Sequence, residues 1–297
     1  MSGFDPATFG RAFEKLVAEY QSGIGFWLAP VFHIATILVL FLAIKYGNRY
    51  RKAFTIYFTL NYFWIFIYAG IVMSFLFYRE MGIWSLAFWS IIPVLTGVIV
   101  FQWVKELKSP KIDLDFTNIR KWRLLVIPII IFGFWYPTYE YAVGFSIFPK
   151  DLLFSFYGLM PCPTTMVILG LLSLKYSCGD RSLFNALTLF AAWIGTAQVL
   201  IGYIPDYPLA LIGYYSLGLI ILNKYICDMM KRNSSVPSST LRNAPHPLSL
   251  YQEQYNSGYE ATAFGFCPNP RYARTSHIRE TLIAIGGSLS DSFLPRK

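Results

Sequence analysis

Charge is scarce in this chain. Only 14% of its 297 residues are Asp, Glu, Lys or Arg, while 55% are hydrophobic and 19% aromatic; soluble domains carry roughly 25% charged residues. A water-soluble fold would have too little polar surface to hide that apolar area. Cysteine is sparse as well. Cys162, Cys178, Cys227 and Cys267 form no CxxC pair and meet no histidine at zinc-ligand spacing, which argues against a zinc finger or a disulfide framework. Cys162 and Cys178 fall near opposite ends of one apolar run, farther apart than a disulfide reaches. With no HExxH, no GxSxG with triad partners, no P-loop and no histidine ladder, readings as a zinc protease, serine hydrolase, ATPase, haem or di-iron protein lack support. No lysine sits in the middle of the last apolar run, and Lys224 is too near its end to carry a retinal Schiff base. No cofactor or metal is expected, and an enzyme has no motif to stand on.

What the chain does have is a series of apolar runs over its first 225 residues, each near the ~20 residues that cross a ~30 Å hydrocarbon core. The pattern predicts an all-α, polytopic helical membrane protein of about seven transmembrane helices, at 26–44, 54–78, 83–104, 122–143, 152–174, 183–204 and 207–225, the fifth broken by prolines. Of 25 basic residues, only Arg11, Lys15, Arg79 and Lys150 lie on one side of this arrangement. The basic side should face the cytoplasm, which places the protein in the cell membrane with its N-terminus outside and its C-terminus cytoplasmic. The same placement removes any need for a nucleic-acid partner, since no folded basic domain presents these charges.

Met1 to Ala29 lacks the basic start, apolar middle and small-residue cleavage site of a secretory signal peptide, so insertion is expected to use the first span. Within the N-terminal segment, residues 1–25, Phe9, Phe13, Leu16, Val17 and Tyr20 repeat at helical spacing and suggest an interfacial amphipathic helix. Trp27, Trp84, Trp103, Trp122 and Trp135 lie near span ends, where aromatic anchors are expected. After the transmembrane domain, residues 26–225, composition shifts by Lys231 to Ser, Asn, Pro, Tyr and Gly. The tail, residues 226–297, reads as largely disordered and cytoplasmic.

The most informative segment is YGLMPCPTTMVILG, residues 157–170. From Thr164 to Leu174 a helix spans only roughly 16 Å, too short to cross alone, and a broken backbone at membrane depth survives where it faces protein, water or a solute. Thr164 or Thr165 could cap the new helix, and Cys162 sits in the break; the simpler alternative is a structural turn leading into a short span. Glu140 is read as a carboxylate at the edge of span four, either functional or an interfacial residue bonded to tyrosines. His33 lies one or two turns inside span one, where interhelical packing is the commonest role and metal binding or proton relay the alternatives. With Gln198, these residues all fall in the outer half of the membrane under the predicted topology. Cys162, Thr164, Thr165, Glu140, His33 and Gln198 are therefore the candidate substrate-binding residues. Asn61 and Gln102 lie deeper and read as interhelical hydrogen-bonders.

Tyr136–Pro137, then Pro161 to Thr165 with Gly170, then AWIGTA from Ala192 to Ala197, then Pro205–Asp206, follow one another in an order that resembles a multi-pass membrane family, domain of unknown function 6064. The likeness runs from about Phe9 to Tyr225 and implies a similar topology without supplying an activity. It departs at Gly144, which is followed by Phe145 where the family pattern often has His. Three functions remain in play. The first is a small-solute or ion permease or binding protein with its site near the PCPTT segment. The second is a non-catalytic membrane partner or sensor that meets a protein through its tail. The third is a membrane-embedded enzyme using Cys162.

Overall fold

The computed structural model describes residues 15, 19, 23–81, 90–117, 119–137, 139–140, 144–145, 153–176 and 182–234. Residues 1–229 form one unit and 230–297 a second, of which only 230–234 are described. The expected N-terminal amphipathic helix apart from Lys15 and Glu19, the tail beyond Ser234, Trp84 and Cys178 therefore lie outside the description, while residues 226–234 of the expected tail are helical. Within the described residues the chain is mostly helical. Three stretches are long and apolar enough to cross a membrane: Phe26–Arg79, Ser182–Leu200 and Ile204–Tyr225.

The first stretch is not one rod. Helix α1, Ile24–Tyr46, ends at Gly47, whose φ of +55° is costly for any residue with a Cβ. A 3₁₀ turn, Gly47–Tyr50, then leads into α2, Arg51–Ile65. The Tyr57 hydroxyl donates to the Phe32 carbonyl at 2.9 Å, although a straight helix would hold these residues roughly 37 Å apart. The two helices thus fold back on each other. A π-helical segment, Phe66–Val72, continues α2 into α3, Met73–Met81.

Helix α4, Ile91–Lys108, packs on α2 through Trp103, whose ring stacks on Phe58 at 5.7 Å. Trp103 is fully buried, so it is a core residue and not a surface anchor. Trp27, 70% exposed, keeps the position of an anchor. The following loop docks on the α1–α2 turn: the Asn48 side chain accepts from Leu114 N–H and donates to Asp113, both at 2.9 Å. Buried Glu106 accepts the Lys111 and Ile112 amides of the same loop.

Helix α5, Ile127–Trp135, follows a 3₁₀ turn at Lys121–Val126 and stops at Tyr136, whose φ is +34°. The expected fourth span, 122–143, is thus shorter as a helix. Its far part holds a two-stranded antiparallel ribbon, Tyr139–Glu140 against Gly144–Phe145. Helix α6, Pro161–Leu174, then α7, Ser182–Leu200, a 3₁₀ turn at Ile204–Asp206 and α8, Tyr207–Ser234, complete the bundle.

Helix α6 is its centre. Twelve of its fourteen residues are buried, so its uniformly apolar surface meets protein on every side. Glycines allow the close approach. A Cβ on Gly133 of α5 would come within 2.7 Å of Met166, and one on Gly170 within 2.5 Å of Ile130. Gly195 and Gly213 likewise bring the α7 and α8 backbones together at Ala210 and Ala192, the small-residue packing typical of membrane helices.

The outer surface carries the opposite pattern to a soluble protein. On α1, Val31, Ile34, Leu38, Phe41 and Ile44 are exposed while His33 and Thr36 are buried. Ile56, Leu60, Phe63 and Phe75 continue the belt on the second arm, and Leu211, Ile221 and Leu222 on α8. An apolar exterior of this extent fits a lipid environment.

Candidate functional site

The Pro-Cys-Pro segment opens a helix. Pro161 and Pro163 occupy the first turn of α6, where missing N–H groups leave no helical bond unmade. Before them, Ser155 to Leu159 are buried without regular structure. Gly158 adopts a φ of +78° directly against Phe32. Its backbone groups are satisfied by side chains: Asn61 Nδ2 donates to its carbonyl at 2.7 Å, and its N–H donates to Thr164 Oγ1 at 3.0 Å. Thr164 in turn donates to the Met160 carbonyl at 2.9 Å. The threonine predicted to cap α6 therefore braces the irregular strand leading into it. Thr165 is 2.9 Å from the Tyr62 hydroxyl and ties α6 to α2.

His33 has a comparable structural position. Its Nδ1 lies 2.8 Å from the Ala29 carbonyl, and its Nε2 lies 3.1 Å from both the Phe134 carbonyl and the Ser155 hydroxyl. A neutral imidazole that donates from one nitrogen and accepts the Ser155 proton at the other joins α1 to the Ser155–Leu159 segment. The neighbouring Thr36 bonds to the Tyr57 and Tyr157 hydroxyls at 2.6 and 3.1 Å. This buried network is filled by protein groups and leaves no room for a ligand at the ring nitrogens.

Cys162 and Gln198 line one cavity, and Asp206 lines it with them. Beneath α6 lies a cavity of about 60 Å³. Ala69 of the π segment, Met73, Phe77, Ile92 and Ile194 form much of its apolar wall, and Tyr136, Cys162, Gln198, Tyr203 and Asp206 its polar rim. Asp206 is 1% exposed. It accepts a hydrogen bond from the Tyr136 hydroxyl at 2.9 Å, and the Cys162 thiol lies near the same carboxyl group. Tyr203 adds a hydroxyl beside that of Tyr136. Gln198 Oε1 is buried with no protein partner.

The rim is rich in acceptors. One carboxyl group and one unpaired amide oxygen face a space to which the described lining residues bring no cationic side chain. Such a site suits a small molecule or ion that donates hydrogen bonds or carries positive charge. About 60 Å³ holds on the order of two waters at the ~30 Å³ each occupies in the liquid and falls well below the ~150 Å³ cavity that admits benzene. A reactive cysteine needs a neighbouring cation or imidazole to favour its thiolate. Here Cys162 has a carboxyl group beside it, which weakens the enzyme reading.

His33, Thr164 and Thr165 do not line this cavity, and the Glu140 side chain lies outside the described residues. Among those residues no three His, Cys, Asp or Glu side chains converge. Asp206 escaped the sequence reading because Pro205 and Asp206 look like an ordinary connection between two spans. Their number was the available signal: a two-residue link cannot carry a carboxylate away from the bundle. The four segments that carry the family resemblance meet here, through Tyr136, through Pro161 and Cys162, through Ile194, and through Asp206. No protein-family model, curated relative or solved structure matches the chain.

Proposed function

We propose that this protein is a multi-pass membrane permease or binding protein for a small solute or ion, with its site in the cavity around Asp206. The observation that carries the proposal is a carboxyl group buried to 1% exposure at the edge of a space large enough for a few heavy atoms. Ionisable groups inside a membrane bundle are costly and mark solute or proton pathways. The Tyr136 bond offsets part of that cost, and a bound cation or donor would offset more. The preferred ligand class is a small cation or hydrogen-bond donor of ammonium size.

The reading includes seven spans, an external N-terminus and a cytoplasmic C-terminus in the cell membrane, which puts the cavity in the outer half of the bilayer. It also takes the segment from Leu153 to Leu174 as a discontinuous span, supported by the irregular buried stretch before Pro161 and the 14-residue helix after it. Discontinuous helices of this kind form solute sites in secondary transporters. The π segment supports the same location, since π turns recur at functional sites and Ala69 lines the cavity. Membership in the family of unknown function is part of the proposal, supported by the meeting of its four motif segments at one place.

The test is flux of ammonium, methylammonium and alkali cations into proteoliposomes. The native protein should transport one of these, and Asp206→Asn, which keeps shape and removes charge, should lower the rate at least tenfold without changing the yield of folded protein. Equal flux in the two proteins would sink the assignment of Asp206.

A further inference from the structure

A second polar cluster, none of whose residues lines the cavity, lies where the 3₁₀ turn Lys121–Val126 meets the last turn of α6 and Tyr215 of α8. Arg123 is 9% exposed, an unusual burial for a guanidinium. One of its terminal nitrogens donates to the Leu174 carbonyl at 3.1 Å, where the negative end of the α6 dipole favours a cation. That bond uses one of five N–H donors. The Arg123 Nε is buried without a partner, and so is the Tyr215 hydroxyl beside it. Among the described residues no carboxylate pairs with Arg123. Arg120 adds a second positive charge close by. Trp122 completes the cluster, its ring 5.4 Å from the Arg123 guanidinium and 6.1 Å from the Tyr215 ring.

A helix cap explains one of these bonds and leaves the rest. Snorkelling into water would leave the guanidinium head exposed, yet this one is enclosed. A buried guanidinium with an unpaired N–H, a second arginine whose charge it feels and a phenol without a partner form a receptor for a tetrahedral oxyanion, because arginine donates in a fork that matches phosphate oxygens. The setting is the interfacial end of a helix bundle, where 40% exposed Trp122 has the place of a headgroup-level aromatic. Basic pockets between helices at this level hold acidic lipid headgroups.

We propose that Arg120, Arg123 and Tyr215 form a binding site for a phosphate oxyanion, carried by an anionic phospholipid headgroup or by a soluble phosphate.

The full-length protein in nanodiscs of pure phosphatidylcholine, or with one-fifth phosphatidylglycerol or phosphatidic acid, supplies the test, read by thermal unfolding and by lipid retained after delipidating washes. Anionic lipid should raise the unfolding temperature above that in phosphatidylcholine and be retained at near-stoichiometric amounts. Arg120→Gln and Tyr215→Phe should each cut retention at least fivefold and shrink the anionic-lipid effect. They leave the Arg123–Leu174 bond intact, so they remain informative if Arg123→Gln does not fold. Inorganic phosphate added to the phosphatidylcholine sample is the second arm. A rise there that Arg120→Gln removes, without an effect of anionic lipid, would support the oxyanion site and assign it to a soluble phosphate. No rise in either arm, or rises that both variants keep in full, would overturn the proposal.

Discussion

The hydroxyl of Tyr136 donates to the carboxyl group of Asp206 across 2.9 Å. This bond fastens the residue that ends α5 to the turn that begins α8, seventy positions later in the chain. Both residues are buried, so the bond fixes the mouth of the cavity as well as its charge.

Tyr136→Phe should therefore lower stability by about 1–3 kcal/mol, the cost of leaving a buried acceptor without its donor. Asp206→Leu, which removes the acceptor, should cost less in the same background than in the native protein, since the bond is already gone. Denaturation of the four proteins of this double-mutant cycle in detergent would measure the coupling. Additive losses would show that the two groups do not interact.

Cys162 should separate thiol reagents by size. With the other three cysteines changed to serine, methyl methanethiosulfonate should modify it as a methyl mixed disulfide, because Cys162 is half-buried against a cavity of about 60 Å³. A bulky maleimide should react at least tenfold more slowly. Equal rates would mean that the cavity opens far wider in the membrane than in this structure.

Gly213→Val should destabilise the α7–α8 pair by at least about 1–3 kcal/mol, the usual cost of overpacking, because even a Cβ there would come within 2.5 Å of the Ala192 backbone. Gly218→Val on the same helix meets nothing within 4 Å and should be tolerated. Comparable losses at the two positions, measured by detergent thermal shift, would contradict the close packing.

His33→Ala should behave as a structural lesion. It removes the ring that bonds to the Ala29 carbonyl and accepts the Ser155 proton, at a cost of about 1–3 kcal/mol. Flux per folded molecule should stay within twofold of native. A selective loss of flux at unchanged stability would give the imidazole a direct part in transport.

Much of this architecture was legible in the sequence. Apolar length located the helices, and the turn between α1 and α2 fell within the basic connection before residue 54; Asn61, read as an interhelical hydrogen-bonder, instead donates to the Gly158 carbonyl in the irregular stretch before α6. Cys162 and Gln198 were found because polar side chains stand out in apolar runs. Hydropathy, however, measures transfer out of water and does not say which face turns inward. Trp103 and Trp27 looked alike as span-end indoles, yet one is core and the other is exposed. His33 and Thr164 stood out for the same reason as Cys162, and only their partners reveal them as braces. The ribbon at Tyr139–Phe145 was hidden because a helical reading of span four ran past Tyr136, where the left-handed backbone ends the helix.

The irregular stretch before α6 has a consequence for how the protein is made. The Gly158 carbonyl depends on Asn61, a residue of α2 synthesised 97 positions earlier. In bare lipid that carbonyl would have no partner, and the enclosed helix behind it would present Thr164, Thr165 and Ser173 to acyl chains. The first helical hairpin is therefore the template on which α6 should dock. A defect in the hairpin should then surface as failed membrane insertion of the later helices, recognised by quality-control proteases, before any mature protein exists to be assayed.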